Sequence, residues 1–317
     1  MNPGTAVTRQ PLLKRVNTLL RYSPGHRWYV PYLFLLPGLT LYILWMLYPL
    51  VYELYISFFD WNIMPGQVSE FVGLENYREI FADSNFWFAL RNTALYALVT
   101  VIGQIVLGLA VALLVHRVIF ARRVFRAIYY LPVVTSWVVV AFLFLYMFNA
   151  QAGGLINYLL VSVFHVLPEP VAWLGNPDTA WVAIDALGIW KGVGWSMVLF
   201  LAALQGIPVE LYEAAAIDGA DEKQQFLHIT LPLIRATLLF VTVMLVIGGF
   251  NVFISVYLMT GGGPLHRTEV VLSYMYNRAF GRLRFGYGAS LSYVLAAIIV
   301  TINFVQMRLF RRPTIEY

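Results

Sequence analysis

Six apolar runs, near positions 30–57, 89–115, 127–148, 180–206, 235–260 and 287–308, constrain this chain more than any other feature in it. The hydrocarbon core of a bilayer is about 30 Å thick and takes about 20 residues of helix to cross, a length that each run reaches. Sixty per cent of the 317 residues are hydrophobic and 12% are charged, so a soluble fold of this length would leave much apolar surface in water. Backbone facing lipid must satisfy its own hydrogen bonds, and the runs are too long and too unalternating for barrel strands. The expected fold is therefore all-α: a polytopic membrane protein of six transmembrane helices. A membrane-embedded domain over 30–308 lies between a tail at 1–29 and another at 309–317.

One stretch between the fourth and fifth runs breaks the pattern. ELYEAAAIDGADEKQQFLHITLPLIR, residues 210–235, gathers Glu210, Glu213, Asp218, Asp221, Glu222 and Lys223 within fourteen positions. At the centre of a span each Asp would cost about 2.5–3.5 kcal/mol, so the segment is a loop. Its punctuation predicts two short helices. Pro208 suits a first turn, Leu211 to Ile217 is rich in alanine, and Gly219 supplies a left-handed stop. Asp221 with Gln224 forms a capping box, and Pro232 marks the break before the fifth run. Ala214, Ala215 and Ala216 leave one side small enough for close approach by another protein, with Glu213 offered to a cation; a plain solvated loop fits the same residues.

Lys and Arg set the orientation. The N-terminal tail, the second and fourth loops and the C-terminus hold fourteen of them, against five in the first, third and fifth loops. Both termini and the acidic loop over 207–234 are thus expected in the cytoplasm. Arg267, Arg278, Arg282 and Arg284 in the fifth loop run against the rule. Ahead of the first run, Leu12, Leu13, Val16, Leu19 and Leu20 repeat at helical spacing among basic residues, the pattern of an interfacial helix or of a basic tail. The first run is too long for a signal-peptide core and lacks a small-residue cleavage site, so it should persist as an anchor.

Enzymatic and nucleic-acid readings find little support. Cysteine is absent, the five histidines form no ligand pair, and no catalytic constellation shares one depth, so no metal site and no catalytic residue is assigned. The net charge of +5 comes from residues flanking apolar runs rather than from an aromatic-laced basic patch, which argues against nucleic acid. No G-x-x-x-x-G-K-[ST] occurs, so the chain has no P-loop of its own.

Charged and polar groups inside the runs are candidate pathway residues. Lys191 lies near the middle of the fourth, among Gly188, Gly192 and Gly194 and flanked by Trp190 and Trp195. Aromatic faces stack on sugar rings, and a lysine can donate to hydroxyls or meet a phosphate. The alternatives are pairing with Asp185, six residues away and on a different face, or snorkelling. The fifth run adds Gly248, Gly249 and Asn251, then Phe253 and Tyr257; Asn251 would hydrogen-bond either solute or a neighbouring helix. Trp137, shortly after Pro132 in the third run, would either border the same cavity or pack.

The acidic loop resembles the EAA loop of ABC-importer permeases, E-A-A, three residues, G, then I-x-L-P, here Glu213, Ala214, Ala215, Gly219, Ile229, Leu231 and Pro232. IPVELYEAAAIDGA resembles the carbohydrate-uptake branch in particular. TGGGP at 260–264 and the tyrosine-rich stretch to Phe280 are similar to the outward-facing segment of the maltose, multiple-sugar and glycerol-phosphate systems, where it is typical of the first permease of a pair. The sequence departs at Arg235, where that branch often carries proline. The resemblance spans roughly 28–308. It implies a type I importer permease with the MetI-like fold in the inner (cytoplasmic) membrane. The implied partners are a second, different permease (a homodimer being the alternative), two ATP-binding-cassette ATPases that hold ATP and Mg, an extracytoplasmic solute-binding protein and the lipid bilayer. No cofactor is implied in this chain. Glu213, Ala214, Ala215, Asp218, Gly219, Leu231 and Pro232 would couple to the ATPase, and Trp190, Lys191 and Gly192 match the W-x-G stretch beside the translocated sugar. The implied cargo is a disaccharide, oligosaccharide or related glycoside, with a polyol phosphate such as glycerol 3-phosphate as alternative. A secondary transporter, needing intramembrane carboxylates, and a membrane enzyme are the rival classes.

Overall fold

A computed structural model describes residues 29–310 apart from 64, 65, 67, 118–120 and 152. The expected interfacial helix around Leu12–Leu20 and the C-terminal tail from Arg311 lie outside the described residues. The chain divides into two units that meet between Tyr55 and Ile56. Most of the first described unit is α1, Val30–Ile56, a 27-residue apolar helix with a wider π turn at Ile43–Leu47 and no buried residue in its regular parts.

The second unit begins with a two-residue hairpin, β1 Phe59–Asp60 against β2 Glu70–Phe71, antiparallel with Phe59 opposite Phe71. Helix α2, Glu75–Ala82, follows it. Asn76 fixes α2 to the hairpin by donating from Nδ2 to the carbonyls of Ser57 (2.9 Å) and Phe59 (3.0 Å). Helix α3, Ser84–Arg117, has 34 residues, about 51 Å of rise against a core of about 30 Å, so it projects beyond the bilayer and starts earlier than the apolar run suggests.

The third run is not the straight span its length predicts. It forms α4, Arg122–Val134, and α5, Trp137–Met147, bent by 96° at Thr135 and Ser136. Pro132 brings no N–H to the last turn of α4, and both break residues are extended. Among the described residues, five helices are long and apolar enough to cross a membrane, and the bent pair makes a sixth if taken as one span.

Helix α6, Pro177–Gln205, opens with Pro177 in its first turn and Asn176 as cap, whose side chain accepts from the N–H of Asp178 at 3.0 Å. Two short helices follow, α7 Val209–Ile217 and α8 Glu222–Gln225, the latter continuing through wider turns to Leu233. The fifth run is also broken, into α9 Arg235–Phe250 and α10 Ile254–Met259. The Asn251 amide donates to the Ile247 carbonyl at 2.8 Å, competing locally with helical bonding. Helix α11, Val271–Tyr276, and the long α12, Phe285–Phe310, complete the unit.

Helices α3 and α6 run parallel and α9 returns between them. Residues near Tyr96 on α3 meet Gly188, and those near Gly108 meet Ser196. Ala97 lies against Gly249, while Val241 packs with Ala112 at the other end. The core has three parts: one with Phe86, Tyr274 and Tyr287, a second with Phe144, Ile184 and Leu187, and a third with Met197, Phe200 and Val241. Gly194 on α6 lies so close to α4 that a Cβ there would run into the Tyr129 carbonyl.

Candidate functional site: an intramembrane cavity and a charged loop

Helices α3, α6 and α9 with the break between α4 and α5 enclose a cavity of about 220 Å³. Trp137, Lys191, Gly192, Trp195 and Gly248 line it, so five of the seven candidate pathway residues come together. The other two do not line it. Trp190, 43% exposed, turns toward α5 and packs on Phe144 at 5.8 Å, and Asn251 is exposed at the α9–α10 break.

Lys191 is not paired with Asp185. Its ammonium donates to three backbone carbonyls at the break, those of Thr135 (2.6 Å), Pro132 (2.9 Å) and Val133 (3.4 Å), and sits 4.8 Å from the Trp137 ring centroid. The arrangement has a simple cause. The end of α4 leaves carbonyls without helical partners, in a region where water is scarce and the helix dipole is negative; a lysine one helix away supplies both the donors and the charge. With the side chain only 4% exposed, little of its hydrogen-bonding capacity remains for a solute.

The opposite wall comes from Tyr96, Thr100 and Gln104 on α3, none of which the sequence reading singled out. They recur every four residues, a polar stripe down one face of an otherwise apolar helix, and that periodicity is the signal that would have found them. Gln104 donates from Nε2 to the Gly188 carbonyl (3.3 Å) and lies directly over Gly192. Glycine at 192 is what leaves room for that amide.

The charged loop is a small, ordered unit. Gly219 has φ +82°, and the Ala220 N–H donates back to the Ala215 carbonyl at 2.9 Å, closing α7. Asp221 caps α8 reciprocally with Gln224, at 2.7 and 2.8 Å. The Tyr212 hydroxyl pairs with Thr230 at 2.9 Å, which fixes α7 to the segment after α8. Glu213, Ala214, Asp218, Gly219 and Pro232 are exposed, Ala215 and Leu231 half-buried. Ile217, 87% exposed at the tip of α7, is an apolar knob absent from the sequence-derived set. Beside it a groove of about 370 Å³ is lined by Ala215, Asp218, Gly219, Gln224 and His228. Arg117 at the end of α3 meets Glu222 at 2.8 Å, so the loop lies at that end of the bundle.

At the other end, α2 is clamped to the segment between α11 and α12. Arg284 makes two hydrogen bonds to Glu79, at 2.5 and 2.6 Å. Asp83 accepts from the hydroxyls of Tyr274 and Tyr287 and lies 3.4 Å from Arg278. The Arg284 guanidinium holds the Glu79 carboxyl below its ordinary range. Burial alone would raise Asp83, but hydrogen bonds from Tyr274, the Asn85 backbone and Tyr287, with Arg278 beside it, outweigh burial and hold it low. Nearby, burial pushes Glu269 up despite His266 at 3.1 Å. Two of the four fifth-loop arginines, Arg278 and Arg284, are therefore neutralised within the chain. That pairing also accounts for half of the departure from the positive-inside pattern.

The family described as binding-protein-dependent transport system inner membrane component matches residues 104–312. A probable ABC transporter permease, YurN of Bacillus subtilis, is 36% identical over 89% of this chain and 96% of its own length. The arabinooligosaccharides permease AraP of the same organism is 32% identical over 88% of each chain. The lactose transport system permease LacF of Rhizobium radiobacter is 33% identical over 92% of this chain and 95% of its own. A chain of a bacterial alginate ABC transporter, solved with an alginate pentasaccharide-bound periplasmic protein, superposes with a TM-score of 0.78 at 22% identity, covering 96% of this chain and 98% of that one, a likeness of fold. The chain belongs to the binding-protein-dependent transport system inner membrane components, as a permease subunit of an ABC transporter.

Proposed function

We propose that this permease imports an uncharged saccharide, a disaccharide or short oligosaccharide handed over by an extracytoplasmic binding protein. It would act with a second, different permease and two ATPase subunits that bind ATP and Mg. The observation that carries the choice of cargo is the state of Lys191. The aromatic faces of Trp137, Trp195 and Tyr96 and the amide of Gln104 suit sugar rings and hydroxyls. The one cation in that lining is already occupied by three carbonyls, so a phosphate would find no free counter-charge there. The names of AraP and LacF, an arabinooligosaccharide and a lactose permease, support the same class.

The charged loop would dock on the ATPase through Glu213, Ala214, Ala215, Asp218 and Gly219, with Leu231 and Pro232 fixing its return into α9. ATP-driven closure would move this unit, rock the bundle and open the cavity outward; hydrolysis would reverse it. This reading puts both termini and the loop in the cytoplasm and the α2 clamp outside. Uptake by receptor-supplied proteoliposomes of the complete importer tests the cargo. Neutral oligosaccharides should enter and compete with one another, and phosphorylated polyols should not. Preferential uptake of a glycerol phosphate would refute the proposal.

A further inference from the structure

Helix α4 opens against its own dipole. The N-terminal end of a helix is its positive end and favours carboxylates, yet α4 begins with Arg122 and Arg123, carries Arg126 one turn on, and has neither an acidic residue in its first turn nor a side-chain cap. A groove of about 370 Å³ lies among these three side chains and Ala121. Arg122 gives an N–H to the His116 carbonyl at 2.6 Å. Neither Arg123 nor Arg126 pairs with a carboxylate among the described residues, and the Arg126 Nε is buried with no acceptor there. A buried guanidinium N–H without a partner is costly. Like charges, an opposed dipole and an unmet donor thus converge on one small groove, and a single anion would relieve all three. The orienting role of arginines beside a span asks only for charge in the loop and leaves this convergence unexplained.

The depth of the groove says what kind of anion. The Tyr129 carbonyl lies at Gly194, while those of Pro132 and Thr135 reach Lys191, three residues earlier on α6. The two helices therefore run antiparallel, and the first turn of α4 lies toward the end of α6 at Gln205 and beside the last turn of α3. Arg126 is the last charge before the apolar run, so the groove stands where hydrocarbon gives way to headgroups. Arg123, Ala127, Tyr130 and Val134 recur at helical spacing on one face, and all four are exposed. An open strip, apolar beyond Arg123, thus leads from the groove toward the middle of the membrane. We propose that the groove binds the phosphate of an anionic phospholipid such as phosphatidylglycerol, with an acyl chain lying along Ala127, Tyr130 and Val134. A soluble acidic partner would have no use for the apolar strip, and a groove lined by four residues at the start of one helix holds a phosphate rather than a helix or strand. The site is independent of the solute that the cavity carries.

The test titrates the complete importer in neutral detergent with phosphatidylglycerol and reads bound lipid by native mass spectrometry. Arg123→Gln should weaken the tightest binding about fivefold, and the double variant with Arg126→Gln by more than tenfold. Arg123→Lys, which keeps the charge, should stay within about twofold of wild type. Arg308→Gln, which removes a cation at the end of α12, should change nothing. Phosphatidylcholine should not compete, and inorganic phosphate in large excess should not displace the lipid. A phosphatidylglycerol with a photoreactive acyl chain should label residues 127–134 in the unmodified importer, which checks the site without any variant. Equal weakening by Arg308→Gln would reduce the effect to diffuse surface charge and overturn the site. Displacement by inorganic phosphate would make it a free-anion site instead, and loss of the ATPase or of the second permease from the Arg123→Gln complex would mark the arginines as a protein interface. Labelling confined to other helices would also overturn the proposal.

Discussion

An ammonium at the depth of a membrane span has to be solvated by something, and Lys191 is solvated by backbone. This makes a prediction about a neutral replacement of similar length. In Lys191→Met the carbonyls of Pro132, Val133 and Thr135 lose their donor, and the variant should be destabilised by about 3 kcal/mol, read as a lowered midpoint of thermal unfolding in detergent. Lys191→Arg should recover part of the loss. A lysine that acted only on solute would leave stability unchanged and weaken uptake alone. Gly194 offers a second check on the same contact surface. Gly194→Ala drives a Cβ into the Tyr129 carbonyl and should cost about 1–3 kcal/mol by forcing α4 away from α6. Residue identity gave Lys191 away as unusual, since charge inside an apolar run is visible to inspection. Its partners were not visible, because they are carbonyls 56 to 59 positions away that become available only where the third run breaks.

At the scale of elements, local chemistry was legible and long-range chemistry was not. The α7–turn–α8 unit could be read in outline because its determinants lie within a few residues of one another: a proline before the first helix, a glycine at positive φ, a capping box. Gly219→Val should therefore cost about 1–2 kcal/mol locally and disconnect the loop's two helices. ATP hydrolysis that no longer responds to the loaded receptor, in a complex that still assembles, is the expected readout. The breaks within the third and fifth runs were hidden by continuous hydrophobicity, which reports depth in the membrane and says little about backbone geometry. The α2 clamp was hidden too, since Glu79 and Asp83 meet Arg284 and Arg278 across about 200 residues of chain. Both carboxyls are held below their ordinary values, so they contribute stability above their unfolded pKa of about 4, and that contribution disappears as pH falls through the lowered folded values. Protease cleavage around α2 should stay slow at neutral pH and accelerate below about pH 4. Glu79→Gln should remove part of this acid response. Acceleration beginning near pH 6 would point to a different group.

For the molecule as a whole, the two ends of the bundle differ in chemistry, and that difference makes the proposed orientation in the membrane testable. One end carries an acidic, small-faced loop with an exposed isoleucine, joined to α3 by Arg117 and Glu222. The other carries a network in which arginines are matched to carboxylates within the chain. A surface already balanced internally can meet a soluble receptor that docks and leaves. The acidic loop has Glu213 and Asp218 exposed, and suits a basic cleft that stays bound through the cycle. The chain contains no cysteine, so each end can be marked without altering a native thiol. Asp218→Cys should react with a membrane-impermeant maleimide in inside-out vesicles and be silent in right-side-out ones. Arg282→Cys should show the reverse. Protection of the first by the bound ATPase, and of the second by the loaded receptor, would assign each end its partner. Reaction of both cysteines from the same side would contradict the arrangement, because the Arg117 contact anchors the acidic loop to the far end of α3 while the α2 clamp holds to its beginning.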